Sequence, residues 1–374
     1  MNELEWGDKS LTAILNDLQQ LIECESPSAD LAAVARSADL ISSLGEQRLG
    51  SSPERIVIDG CTHLRWQLGS TAADARRVVL LAHHDTVWPL GTLANRPFAI
   101  TDGILTGPGC FDMLTGLVMA MHVAAQFVDR RDVGLTLLVT GDEELGSPSS
   151  RGLIEETARG AVAALVLEAS ADGALKIGRK GTSIYQVQLA GKAAHAGLEP
   201  ENGINATVEL AHQVIAVAEL SDTALGTTVT PTLATGGQTQ NTVPDRAEFA
   251  VDVRAATVAE QERVDRAFAA LVPQAGAEIS IAGGINRPPL EPAMSQDLLD
   301  RTVAIAQRLG LPEPRAVSVG GASDGNFTAA LGVPTLDGLG AAGGGAHAAD
   351  EHVLVDQIPP RTALLRALVS DLLG

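Results

Sequence analysis

Arg77-Val78-Val79-Leu80-Leu81-Ala82-His83-His84-Asp85 is a continuous apolar run that stops abruptly on two imidazoles and a carboxylate. A short stretch without polar alternation reads as a strand buried on both faces, as in a sheet flanked by helices. Two further runs repeat the pattern. Gly134 to Thr140 ends at Asp142-Glu143-Glu144, and Ala161 to Leu167 ends at Glu168. In open α/β sheets the C-terminal edge of the strands is where ligands bind, so three strands delivering polar groups there predict one shared site.

Outward from these strands, helices are expected over about Leu11–Glu23, ahead of Ser26-Pro27-Ser28, over about Ala29–Leu44, and over Leu114–Phe127 after Asp112. From about Gly181 the rhythm changes. Ile184–Ala190, Thr227–Leu233, Ala247–Arg254 and Glu278–Ala282 read as strands, with helices at Ile204–Leu220 and Val258–Leu271. This β-α-β-β-α-β order is that of a small split-βαβ sandwich. It predicts an α/β protein with an inserted domain at 182–291 and a main domain built from 1–181 and 292–374. Gly340 to Gly345 reads as a mobile or tightly turning loop.

The chain has 374 residues, 45% of them apolar but only 3% aromatic, so aliphatic side chains must fill its cores. That length favours two domains over one hydrophobic core. The formal net charge of −20 opposes binding to nucleic acid or an anionic membrane surface. Three scattered cysteines, Cys24, Cys61 and Cys110, suggest neither a disulfide framework nor a Cys metal site, and fit a reducing compartment. Met1 to Leu18 lacks the basic start and apolar run of a secretory signal, and no stretch of 18 apolar residues stands out; a cytoplasmic location is expected.

The polar groups at the strand ends suit divalent ions of the zinc type, which take imidazole nitrogen and carboxylate oxygen. In His83-x-Asp85 the imidazole is a metal ligand and the carboxylate fixes its ring from behind, while His84 turns to the opposite side of the strand. Asp112 follows the tight Gly107-Pro108-Gly109 turn and is suited to bridge two ions; Cys110 in the same loop reads as packing. Three adjacent carboxylates at Asp142-Glu143-Glu144 repel one another unless cations neutralise them. One of the two glutamates is then a ligand and its neighbour a proton acceptor. Glu168, beside a buried strand, needs a partner or an ion. His347 and His352, past the Gly-rich loop, are both candidate ligands.

This set resembles the M20 metallopeptidases, in particular the branch of glutamate carboxypeptidases of the carboxypeptidase G type. The residues that carry the resemblance are His83-His84-Asp85-Thr86-Val87, Gly107-Pro108-Gly109 with Asp112, Asp142 to Ser147, Glu168, Gly191 to Gly197, Asn241, Arg254 and His347. The resemblance implies a zinc-peptidase-like three-layer catalytic domain with a ferredoxin-like lid and dimerisation domain inserted in it. It implies two divalent ions, zinc or alternatively cobalt or manganese, with Asp112 bridging, His83 and Glu168 completing one site, and Glu144 and His347 the other. It makes Glu143 the general base, Asp85 the residue orienting His83, and His195 a donor to the oxyanion that reaches the partner subunit of a homodimer. Asn241 and Arg254 match positions on the substrate's carboxylate side; Lys176 and Arg287 match basic positions of the glutamate-selective branch. One departure stands out. Many relatives carry Lys-Gly just after the bridging aspartate, whereas here Asp112 is followed by Met113-Leu114-Thr115-Gly116. The implied reaction is hydrolysis of an N-acyl amino acid or peptide at a C-terminal, glutamate-like residue. The alternatives are an N-acyl-amino-acid deacylase or deacetylase, and a non-catalytic metal-binding relative.

Overall fold

A computed structural model describes residues 8–70, 72 and 75–374, so the start of the N-terminal reading, Met1 to Gly7, lies outside the described residues. The chain divides into two compact units. The first comprises residues up to Gly178, Pro292–Ser318 and Ser323–Gly374; the second comprises Arg179–Glu291 and Val319–Ala322. The second unit therefore begins at Arg179 rather than 182 and takes in a short return segment that sequence reading assigned elsewhere. The reason is local bonding. Lys180 N–H donates to Val319 O (3.2 Å), and Arg179 Nη1 donates to Gly321 O and Ala322 O (3.1 Å each).

The first unit is built on a six-stranded sheet in the order Glu54–Ile58, Cys61–Gly69, Gly134–Thr140, Arg77–His83, Ala163–Val166, Thr335–Leu336. The last four strands run parallel, and Cys61–Gly69 closes one side antiparallel against Gly134–Thr140. Successive side chains of Arg77–His83 serve opposite faces, as strand geometry requires. Val78, Leu80 and Ala82 join a large core with Ile14, Leu18, Ile41, Leu117 and Leu365, whereas Val79 and Leu81 join a second core with Ile154, Ala158 and Phe327. Helices thus cover both sheet faces, which explains why the strand holds no polar residue between Arg77 and His83.

Three helices on one face are joined by a buried polar group as well as by apolar contact. Asp17 on Asp8–Glu23 accepts a hydrogen bond from His122 on Thr115–Ala124 (2.7 Å) and a two-pronged one from Arg48 on Leu31–Leu49 (2.9 and 2.8 Å). Asp30 caps Leu31–Leu49 by accepting Ala33 N–H, so the helix starts two residues later than expected and runs on to Gly50, which ends it in the left-handed conformation. The segment Cys110–Phe127 is long and apolar enough to cross a membrane by length and composition, yet 83% of it is buried inside this unit.

The second unit has a four-stranded antiparallel sheet in the order Thr228–Gly236, Arg246–Ala255, Gly181–Ala190, Glu278–Arg287, with helices Ala206–Ala218 and Val258–Ala269. That order and connection are those of the split-βαβ arrangement. Tyr185, Val187 and Leu189 point into its core with Phe249, Val251 and Phe268, while Ile184 faces outward. The period-2 alternation read in the sequence is this one-sided burial.

Candidate metal centre

The first two expected strands end at His83 and Thr140 as read, the third spans Ala163–Val166 and stops one residue short of Leu167, and the side chains at or just after the three ends meet. His83 is the last residue of its strand and is buried. Its Nδ1–H donates to the backbone oxygen of Asp85 (2.9 Å), which directs Nε2 toward the neighbouring carboxylates. That Nε2 has no hydrogen-bond partner, yet it faces Asp112 Oδ1 at 3.4 Å and Glu168 Oε1 at 3.6 Å. A nitrogen turned toward two carboxylates needs a cation there, either a bound proton or a metal ion. Burial opposes protonation of His83, but the carboxylates of Asp112, Asp85 and Glu168 outweigh it and raise its pKa well above the usual value.

Asp112 sits after Gly109, whose φ of 72° allows the tight turn into the ligand position. One of its oxygens faces each imidazole. Oδ1 is 3.4 Å from His83 Nε2, and Oδ2 is 3.3 Å from His347 Nε2. His347 Nε2 also lies 3.1 Å from the Glu144 carboxylate. Asp112 and Glu144 push the His347 pKa up to about 10, and burial raises that of Glu144. His347 is held at φ 61°, a conformation rare for a residue with a Cβ and enriched at functional sites.

Among the described residues three groups of potential ligand atoms lie within 4.8 Å internally: His83–Asp112–Glu168 and Asp112–Glu144–His347, which share Asp112, and Cys61–His63–Asp142, which shares no residue with them. The donor set of the two groups that share Asp112 is nitrogen and oxygen without sulfur, which fits zinc and its neighbours. Glu143 is buried and lines one cavity with His83, Glu168 and Asp324. Asp85, fully buried, accepts the backbone N–H groups of Glu143 and Glu144 (3.2 Å each), while its carboxylate stands 3.4 Å from His83 Nδ1. The expected carboxylate–imidazole pair is thus longer than the bond from the same ring nitrogen to the Asp85 backbone oxygen. The carboxylate's short contacts go to the turn that carries Glu143 and Glu144.

Asp142 departs from the sequence reading of a carboxylate triplet awaiting cations. Its Oδ2 accepts Ser149 N–H and Oγ–H (2.7 Å each) and Ser150 N–H (3.2 Å), so hydrogen bonds satisfy that oxygen. His63 extends this brace, its Nε2 meeting Ser149 Oγ at 3.0 Å and its Nδ1 accepting Gly141 N–H. His84 turns away from the ligands as predicted. It meets Ser37 Oγ and Thr62 O at 3.1 Å each, and burial depresses its pKa to about 4. Cys110 is buried in packing, and His352 is bonded to Asp350 O outside both ligand groups.

The remaining predicted residues divide between the units. Lys176 lies in the first, on the strand Leu175–Arg179, with its N–H on Asp337 O. In the second, His195 is exposed and its Nδ1 accepts the N–H groups of Gly197 and Leu198 (3.1 and 3.2 Å), which leaves Nε2 as the donor. Asn241 is exposed and its backbone oxygen accepts Ala196 N–H. Arg254 bonds Asp252 through two nitrogens and Thr182 through the third, and Arg287 is buried. Sequence reading missed Asp324, which accepts from Thr140 and Ser147 beneath the site, and Glu351, which binds the Asp112 loop. Glu351 lies four residues past His347, the one signal that pointed to it.

Two imidazoles, a shared carboxylate and a buried glutamate at the edge of a helix-flanked sheet define a metal-dependent hydrolase of peptide or amide bonds. Comparison with known proteins agrees. Residues 79–371 match the model of peptidase family M20/M25/M40, and the chain belongs to that family. Carboxypeptidase G2 of Pseudomonas sp. (strain RS-16) is 30% identical over 373 residues, covering 96% of this chain and 89% of that protein. Succinyl-diaminopimelate desuccinylase of Dechloromonas aromatica (strain RCB) is 27% identical, covering 87% and 90%. Among solved structures, aminopeptidase PepT from Bacillus cereus ATCC 10987 superposes with a TM-score of 0.76 at 21% identity, over 97% of this chain and 99% of that one. The Bacillus subtilis YXEP protein, a dinuclear metal-binding peptidase of the M20 family, superposes with a TM-score of 0.67 at 16% identity, over 98% and 99%. These last two show the shared fold.

Proposed function

We propose that this metallopeptidase is a di-zinc carboxypeptidase that releases a C-terminal amino acid, glutamate or a close analogue, from an acyl or aminoacyl group. The observation that carries the di-metal reading is Asp112, which turns one carboxylate oxygen to His83 and the other to His347. Divalent ions held by His83, Asp112, Glu168, Glu144 and His347 would supply Lewis acidity, polarising the scissile carbonyl and acidifying the attacking water. Zinc suits the donors, with cobalt or manganese as substitutes.

In this reading Glu143 accepts a proton as the water oxygen bonds to the carbonyl carbon, then delivers it to the amine nitrogen as the C–N bond breaks. The bonding of His195 Nδ1 to two backbone donors leaves Nε2–H for a developing oxyanion. Asn241, Arg254, Lys176 and Arg287 would receive the substrate's carboxylates, with Asp252 holding the Arg254 fork in a fixed plane. The proposal extends to a homodimer formed through the second unit, acting as a lid. It also places the protein in the cytoplasm, a location supported by its three free cysteines.

Turnover of metal-loaded protein on acyl-glutamate, acyl-aspartate, acyl-alanine, acyl-leucine and acetylornithine tests the substrate class, with Glu143→Ala alongside. Glutamate-selective release is expected, reduced in the variant by on the order of 10²–10⁴-fold while both metals remain bound. Wild-type turnover by that variant would remove Glu143 as the base. Preference for neutral or basic substrates would move the function to a deacylase. The similarity to desuccinylases favours that second reading.

A further inference from the structure

Glu351 is a carboxylate enclosed by donors. Oε1 accepts the backbone N–H groups of Phe111 (3.0 Å) and Asp112 (3.1 Å); Oε2 accepts Gly109 N–H (3.1 Å) and Trp88 Nε1–H (2.8 Å). Its side chain is 0% exposed. Arg96 supplies a counter-charge at 4.0 Å, lies over the Trp88 ring at 4.3 Å, and donates to the backbone oxygens of Ala348 and Glu351.

These partners are not a random selection of backbone. Gly109 to Asp112 is the loop that presents the shared ligand. Trp88 follows the His83–Asp85 strand end, and Glu351 itself lies four residues beyond His347. A single carboxylate therefore gathers three segments that carry ligands of both groups. Two of its bonds flank the Cα of Phe111, and the second holds the amide nitrogen of Asp112 itself, so any drift of the carboxylate moves the backbone that carries both Asp112 oxygens. Only an ionised carboxylate offers acceptors to four donors at once, and such charge-assisted bonds are short and directional.

We propose that Glu351 is a positioning residue of the metal centre, fixing Asp112 relative to His83 and His347 so that both ions are held by one shared carboxylate. The proposal rests on the di-metal reading above. Because Asp112 belongs to both ligand groups, loss of Glu351 weakens both ions rather than one. A residue that only stabilised the fold would change the melting temperature and leave metal affinity alone.

The test is zinc titration of chelator-stripped wild type, Glu351→Gln and Trp88→Phe against a competing chromophoric chelator. Cobalt d–d spectra, melting temperatures and kcat and KM are recorded for the same proteins. Glutamine turns an NH₂ group toward backbone N–H groups, so Glu351→Gln is expected to weaken both zinc constants by about 10–100-fold. Its cobalt spectrum should alter, and kcat should fall with KM within about twofold. Trp88→Phe removes one donor and is expected to weaken zinc binding by a smaller factor. Wild-type zinc constants and cobalt spectrum in Glu351→Gln overturn the proposal, whatever the melting temperature. Should that variant fail to fold, wild-type zinc affinity in Trp88→Phe overturns it. Failure of the wild type to take two ions is a different result, and removes the di-metal reading itself.

Discussion

Asp85 shows how one buried side chain takes on a second task besides facing the imidazole beside it. Burial alone would raise its pKa, but His83 and neighbouring donors outweigh that and keep the carboxyl below its ordinary value. It is thus an anion whose shortest carboxylate bonds run to the N–H groups of Glu143 and Glu144. The His83 ring is already oriented by the backbone oxygen of the same residue. Asp85→Asn would point an amide N–H₂ at one of those two backbone donors and disturb the turn that carries the proposed base and one ligand. The expected result is a fall in kcat of about 10–100-fold, with metal occupancy lost first at the Glu144–His347 position. Anomalous diffraction from zinc-loaded crystals of the variant checks this. Preferential loss at the His83–Glu168 position would instead restore ring orientation as the main task of the carboxylate.

At the scale of elements, ligand placement depends on how closely a helix approaches a strand. A Cβ added to Gly116, in the first turn of Thr115–Ala124, would stand 1.9 Å from Leu167 O, and one added to Gly340 would stand 2.1 Å from the same oxygen. Leu167 immediately precedes Glu168, and Gly116 begins the helix that Asp112 leads into. The spacing between two ligands of one group is therefore set by glycine against backbone. Gly116→Ala cannot be absorbed by a rotamer change. It is expected to destabilise by roughly 1–3 kcal/mol and to weaken zinc at the His83–Asp112–Glu168 group; urea unfolding and zinc competition measure the two effects. Unchanged zinc affinity in a destabilised variant would show that the helix moves without carrying Asp112. The sequence made the strand runs legible because burial on both faces leaves an unbroken apolar signature, and it made the ligands legible because they interrupt that signature at its end. It did not show Cys61–Gly69, whose His63 and Arg65 mask a strand with six of nine residues buried and one polar group inside a hydrogen-bonded brace. Nor did it separate Asp142 from Glu143 and Glu144, since the bonds to Asp142 Oδ2 come from Ser149 and Ser150 on a turn whose shape no spacing rule reveals. Glu351 was illegible for the same reason: its partners lie more than 200 residues away, and three of the four are backbone groups.

The whole first unit adds a pH dependence that is separate from the metal centre. Asp17, His122 and Arg48 join three helices on one face of the sheet, and Asp17 is 2% exposed. Burial pushes the Asp17 pKa up, but the bonds from His122 and Arg48 prevail and hold it below the ordinary carboxyl value. A carboxyl with a lowered folded-state pKa binds fewer protons folded than unfolded. Its contribution is complete above the unfolded value of about 4 and is lost as pH falls through the folded value. Asp17→Asn keeps the shape but removes the charge, leaving Arg48 without its two-pronged partner and a buried His122 with a weaker acceptor. A loss on the order of 2–3 kcal/mol is expected at neutral pH. The ligand carboxylates also titrate in acid, but that contribution is common to both proteins and cancels when the variant is compared with the wild type. The difference in urea-unfolding free energy between them should shrink as pH falls below about 4. A difference that persists undiminished through that acid range would mean that the three helices are held by packing alone, with the triad contributing shape rather than charge.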